Sequence, residues 1–243
     1  MNQELAQTIK LYATAPHRQL SEYLIGKSKD TLIAMLVDLL TMYINDKNSS
    51  TIREFLTVTI TGYQHKETKI GYNGFKQDAF LPGRTIKCEA KPKNFDSGEY
   101  ERYRKGERKT APAKLNGGGN FTDYTPARLN KDLSEKDLNM LVSGFVDGKF
   151  VYIIEFPFNS PDFVKNLRNK IKRWQEKLKG SRTTTGQFLR SAEFDYRDYI
   201  NCPNLKIIYI LSKEELKKYR QYINRGFYEF LVSRAQGCLC QTI

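Results

Sequence analysis

Between Phe75 and Lys91 the chain reads as two short strands joined at Pro82-Gly83. Pro suits the second position of a β-turn, and Gly supplies the positive φ that a type II turn needs at its third. In the second arm Ile86, Cys88 and Ala90 alternate with Lys87, Glu89 and Lys91, so one face is apolar and the other charged. A chain that contains this hairpin must build a sheet with one buried face. If Leu81 pairs with Arg84, Asp78 stands opposite Lys87 and Glu89 is its diagonal neighbour, roughly 7–8 Å away. Two carboxylates at that spacing can share a cation, with Lys91 aimed at the same spot. Register is decisive, because a one-residue slip sends Glu89 and Lys91 to the face opposite Asp78.

The flanking segments supply material for such a sheet. Residues 1–47 read as helical: Leu5, Ile9 and Tyr12 form one stripe, and Leu32, Ile33, Leu36, Leu39, Leu40 and Tyr43 follow the Ser28–Asp30 cap signal at helical spacing. They are expected to pack on the sheet, with a dimerisation helix as the alternative. Thr51 to Gln64 is ambiguous between helix (Ile52, Phe55, Leu56) and strand (Thr57-Val-Thr-Ile-Thr61). Glu67 to Tyr72 reads as a further strand. Residues 92–120 read as a long basic loop ending in Asn116-Gly-Gly-Gly-Asn120. That triplet could bring backbone close to a phosphate or serve as a hinge. It is not a P-loop, because no Gly-Lys-Ser/Thr follows.

Beyond it, Thr125-Pro126 opens a capped short helix, and Asp147-Gly148 joins strands 140–146 and 149–156. Pro161 to Lys179 is amphipathic, with Phe163, Val164, Leu167, Ile171, Trp174 and Leu178 inward and a strongly basic outer face. Leu205 to Leu211 is a buried strand, and a capping-box-like Ser212–Glu215 starts a last helix that runs to about Arg234. The expected fold is therefore α/β, a mixed sheet flanked by helices. Residues 1–47 form a helical segment packed on a core of 48–243, and that core carries the 92–120 insertion.

Charge narrows the partners. Lys and Arg number 40 against 27 Asp and Glu, a formal +13. Such an excess favours a polyanion, since each neutralised phosphate releases condensed counterions. Cys88, Cys202, Cys238 and Cys240 form no CxxC pair, and His17 and His65 are isolated, which argues against structural zinc. No apolar run approaches the roughly 20 residues of a membrane span. The opening residues MNQELAQTIK lack a signal-peptide core, so a reducing cytoplasm is the expected compartment.

Acid-x-Lys triplets recur at Glu67, Glu107, Asp147 and Glu215, but only Glu89 combines a strand, an apolar opposite face and an upstream Asp. This arrangement resembles the PD-(D/E)xK nuclease superfamily, best known from Type II restriction endonucleases. The match covers Asp78, Glu89 and Lys91 within the order helix, motif strands, helix, strand; Gln77 stands where the family often has Pro. The resemblance implies a restriction-endonuclease-like core and Mg²⁺ held by Asp78, Glu89 and the carbonyl of Ala90. Lys91 is then the water-positioning residue, and Glu54 or Glu67 a possible further acid. It also implies site-specific cleavage of double-stranded DNA by a homodimer, with a separate cognate DNA methyltransferase. Candidate DNA contacts are Lys93, Asn116, Gly118, Asn120, Lys172, Arg173, Arg182, Thr184, Gln187 and Arg190. The alternatives are a non-catalytic nucleic-acid binder and a non-specific or repair nuclease of the same fold.

Overall fold

The computed structural model describes residues 2–45, 50–66, 71–179 and 189–235. Three helices, α1 (Gln3–Thr14), α2 (His17–Ile25) and α3 (Lys29–Asn45), precede α4 (Ser50–Ile60). The β-rich part holds β1 (Gln64–His65), β2 (Gly74–Gln77), β3 (Thr85–Phe95), α5 (Ser97–Arg104), β4 (Gly119–Tyr124) and α6 (Pro126–Ser134). It continues through β5 (Leu138–Val146), β6 (Lys149–Pro157), α7 (Pro161–Lys179) and β7 (Leu189–Phe194). The last described elements are β8 (Lys206–Ile210), α8 (Lys213–Tyr219) and α9 (Arg225–Ala235). Among the described residues no helix is long and apolar enough to cross a membrane.

Six strands form one mixed sheet in the order β1-β2-β3-β5-β6-β8, and β4 pairs with β7 in a separate ribbon. At its centre β3 and β5 run parallel, with Glu89 beside Met140; the other ladders are antiparallel. Helices flank the sheet, as expected. One face packs Met140, Val142, Ile154 and Phe156 against Phe121, Phe163, Leu167, Phe194 and Phe227, drawn from the ribbon, α7 and α9. The other packs Phe145, Phe150 and Ile153 against α1 and α4, and Cys88, Ala90 and Leu141 against Val58 and Tyr63.

Several expectations are met closely. Asp147 and Gly148 both have positive φ, 50° and 77°, and turn the β5–β6 hairpin. The amphipathic helix has the bounds read from its periodicity, with Phe163, Leu167 and Ile171 buried. Others are overturned. The Thr57–Ile60 run is helical and Thr61 follows as a turn, with each threonine hydroxyl turned back on a carbonyl four residues earlier: Thr57 to Arg53, Thr59 to Phe55, Thr61 to Thr57. These bonds satisfy the hydroxyls without leaving the helix. The 92–120 stretch is not one loop: β3 continues to Phe95, α5 follows, and β4 begins at Gly119. The expected last helix ends at Tyr219, a 3-10 turn spans Arg220–Tyr222, and Ile223 then forms a bridge with Leu115 before α9 begins. Glu67 and the strand proposed around it lie largely outside the described residues.

The largest departure in packing is α3. Met35 is buried, but Leu32, Ile33, Leu36, Val37, Leu39, Leu40 and Tyr43 are 38–57% exposed. Those residues do not pack on the sheet; α3 is held through Met35 and Met42, which reach the cluster around α1.

Candidate functional site

The hairpin forms, but in another register. Gly74 faces Cys88, Phe75 faces Lys87 and Gln77 faces Thr85. Asp78 continues this ladder opposite Arg84, with its N–H donating to the Arg84 carbonyl at 2.9 Å. The register anticipated from the Pro82-Gly83 turn was three residues different, an odd shift, so Asp78 lies on the face opposite Glu89. Along the strand it is five residues from the position beside Glu89, roughly 16 Å at the usual rise. The cause is local. Asp78 Oδ1 accepts from the N–H groups of Phe80 (2.8 Å) and Leu81 (3.3 Å), and Arg84 N–H donates to Leu81 carbonyl. These bonds widen the turn to residues 78–84. Asp78 Oδ2 meets Arg84 at 3.3 Å. As folded, Asp78 and Glu89 do not share a cation.

Asn73 takes the place beside Glu89. Its N–H donates to the Cys88 carbonyl, and its side-chain oxygen accepts the Ala90 N–H at 2.7 Å. Beyond that point β2 has ended, and among the described residues β3 has no neighbouring strand on this edge. Because N–H and C=O of one strand residue point to the same edge, the Ala90 carbonyl faces this opening. Pro92, two residues on, leaves no N–H unsatisfied there, which is where a sheet tolerates proline.

Glu89 is only 7% exposed. Its Oε1 receives Lys91 Nζ at 2.6 Å and lies 3.7 Å from Arg128 of α6. Lys91 Nζ also sits 4.6 Å from the centre of the Phe121 ring. Arg128 lies over Phe121 and Tyr124, at 5.8 and 5.3 Å. Close by, Tyr124 donates to Asp132 at 2.8 Å, and burial holds the Asp132 carboxyl above its ordinary range. Glu89, Arg128 and Asp132 line a pocket of about 360 Å³ together with Lys66, Tyr72 and Lys131.

On the open-edge side lies a larger cleft of about 1050 Å³. Its walls include Glu54 of α4, Ala90, Lys91 and Lys93 of β3, the 113–122 segment, Asn166 and Lys170 of α7, and Glu193 to Asp198. Lys93 Nζ meets Asn116 Oδ1 at 3.3 Å, and burial lowers the Lys93 pKa, opposed by Glu193. The glycine triplet serves close packing. A Cβ on Gly119 would stand 2.6 Å from Lys91 Cβ, and one on Gly118 would collide with the Phe194 carbonyl. The ribbon approaches the motif lysine only because these positions lack side chains.

Thus Lys93, Asn116, Gly118 and Asn120 gather in one cleft with Lys91, and Glu54 lines the same cleft. Lys172 and Arg173 do not line it; they are exposed on α7, whose cleft-facing residues are Asn166 and Lys170. Arg182, Thr184 and Gln187 lie outside the described residues, as does the side chain of Arg190. Arg128, Tyr124 and Asp132 were not singled out in the sequence. The capped helix at Thr125-Pro126 was legible, but nothing local tied its Arg to Glu89.

The donors at the edge are the Glu89 carboxylate and the Ala90 carbonyl, and Glu54 lines the cleft that Ala90 borders. Among the described residues no three His, Cys, Asp or Glu side chains converge on one point. This set does not make a protein cage. It does fit Mg²⁺, which takes one or two carboxylates, keeps several waters and relies on substrate phosphates. No protein-family model matches the chain, and no curated protein matches it either.

Proposed function

We propose that the chain is a Mg²⁺-dependent endonuclease of the PD-(D/E)xK type that hydrolyses phosphodiester bonds of double-stranded DNA. The observation that carries this reading is the Glu89–Lys91 pair beside the open edge of β3: Glu89 lines the smaller pocket, and Lys91 lines the cleft that also presents Lys93, Lys114, Lys170 and Arg197. A mixed sheet with a parallel central pair and helices on both faces suits a restriction-endonuclease-like core. The reading changes one assignment: Asp78 belongs to the turn, and Glu54 is the better second acid.

Lys93, Lys114 and Lys170 draw the phosphate chain into the cleft, and Asn116 and Asn120 offer amides to bases or sugar oxygens. Mg²⁺ held by Glu89, the Ala90 carbonyl and substrate oxygens would polarise the phosphate and lower the pKa of bound water. Lys91, freed from Glu89 as the phosphate enters, orients the attacking water and offsets charge that develops on phosphorus. Arg128, 3.7 Å from Glu89, keeps the carboxylate directed when Lys91 moves away.

The finer reading is a site-specific Type II enzyme acting as a homodimer, with a methyltransferase as a separate protein. The support for a second copy is α3. A helix that is apolar all round is normally buried, and Leu32, Leu36, Leu39 and Tyr43 recur at alternating four- and three-residue steps, the spacing of a helix–helix seam. Paired along a length of about 25 Å, two such helices form the apolar centre of an interface of ordinary size. Light scattering should give twice the chain mass, falling to one chain for Leu36→Glu/Leu40→Glu.

The second reading, a nucleic-acid binder without catalysis, is favoured by one fact: neutral Asn73, not an acid, stands beside Glu89. Incubation with a long duplex and Mg²⁺ separates the two. Discrete fragments indicate a restriction enzyme and a smear a non-specific nuclease. Intact DNA that is nevertheless bound leaves only the binder.

A further inference from the structure

The segment 113–116 has a second basic hollow on its far side. A space of about 620 Å³ is lined by Lys114, Lys217, Lys218, Arg220, Arg225 and Glu229 among others. Five cations thus face one acid, and Glu229 is already engaged by Arg225 at 3.1 Å. Among the described residues Lys114, Lys217, Lys218 and Arg220 have no carboxylate partner. The C-terminal dipole of α8 accounts for Lys217 and Lys218 at its last turn. It does not account for Arg220, Arg225 and Lys114, which converge on the same space from other segments. Like charges gathered in a concavity repel unless an anion joins them.

The hollow is joined to the cleft. Lys114 lines both. The chain at this ridge is held by backbone bonds, Leu115 N–H to Tyr222 carbonyl at 2.9 Å and Asn224 N–H to Leu115 carbonyl at 2.8 Å. The two cationic surfaces therefore sit in a fixed relation across one residue.

We infer that the hollow between α8 and α9 is a second phosphate-binding site, taking the sugar–phosphate strand that leaves the cleft lined by Lys91 and Lys93 over Lys114. This rests on the proposed nucleic-acid reading of the cleft but does not require cleavage. Its side chains grip backbone phosphates, so they add affinity and salt dependence without base preference.

The test is binding of a labelled duplex in EDTA, measured by anisotropy across about 50 to 200 mM salt. Compared with wild type, Lys217→Ala/Lys218→Ala/Arg220→Ala should bind about tenfold more weakly near 0.1 M salt. Its log–log salt slope should be shallower by about 0.9 for each phosphate that is no longer neutralised. The charge-preserving Lys217→Arg/Lys218→Arg should keep the wild-type slope, which a general folding defect in the alanine variant would not predict. Wild-type affinity and slope in the alanine variant overturn the inference. So does displacement of the duplex by millimolar inorganic phosphate from wild type but not from that variant, which would assign the hollow to a free anion. Failure of the wild type to cut with Mg²⁺ would remove the nuclease reading and leave this binding result standing.

Discussion

Two glutamates are buried in the same sheet, on opposite faces, and the chain treats them differently. Glu155 of β6 is 3% exposed; Tyr63 and Asn139 each donate to its Oε1 at 2.6 Å, and Lys76 lies 3.8 Å away. Tyr63 and Asn139 are also bonded to each other at 3.0 Å, so the network is closed on itself. Burial and the neighbouring Glu155 push the Tyr63 hydroxyl far above its usual range, which keeps it a donor. Glu89, by contrast, is held by two cations on flexible stems, and it borders a pocket and an uncovered strand edge. Neutral, packed donors make a carboxylate structural. Mobile cations that a phosphate can draw away make it available. The difference separates a polar core from a candidate active site.

The contrast between the two glutamates can be broken at either end. The largest effect belongs to the open side: Lys91→Ala or Glu89→Ala should lower Mg²⁺-dependent cleavage by about 10²–10⁴-fold, with duplex binding in EDTA retained. Cleavage at the wild-type rate by either variant ends the nuclease assignment. On the closed side, Glu155→Ala removes the acceptor of the buried Tyr63 hydroxyl and one acceptor of the half-buried Asn139, and should cost about 2–5 kcal/mol in urea unfolding. Its folded fraction should cut normally, and a catalytic loss at unchanged stability would reverse the roles of the two glutamates.

Gly119→Ala joins the two kinds of effect. Its Cβ meets the Lys91 Cβ, so a stability loss of about 1–3 kcal/mol should accompany a fall in cleavage larger than the unfolded fraction explains. Asp78→Ala should weaken only its turn, by about 1 kcal/mol. Loss of cleavage with an intact fold would mean instead that the hairpin takes the other register on DNA. The smallest effect is on pH. Since burial lowers the Lys93 pKa, phosphate binding must restore a proton once pH exceeds that lowered value. Duplex affinity should then decline with rising pH before the ordinary lysine range near 10.4 is reached; Lys93→Arg, charged throughout, should flatten that decline.

Where local bonding settles the outcome, the residues could be read in advance. Asp147-Gly148 turns its hairpin with the positive φ values that such a pair tolerates, and α7 follows its apolar period from Pro161. Where two local preferences compete, the reading failed. Thr57 to Thr61 has strand propensity, yet its hydroxyls are satisfied inside a helix. The turn after Gln77 held two candidate forms, and the Asp78 side chain chose the wider one by accepting two N–H groups. A shift of three residues costs little in backbone bonding but moves a carboxylate to the other face.

By itself, then, the sequence determined a mixed sheet with one charged strand face, a basic surface and the Glu89–Lys91 pair, since alternation and composition are local properties. Only tertiary structure decided that Asn73 lies beside Glu89, that Arg128 reaches it from α6, and that Gly119 lets the ribbon close on Lys91. It also left the leucines of α3 exposed. These outcomes depend on which distant surfaces meet, and no spacing within a segment encodes that.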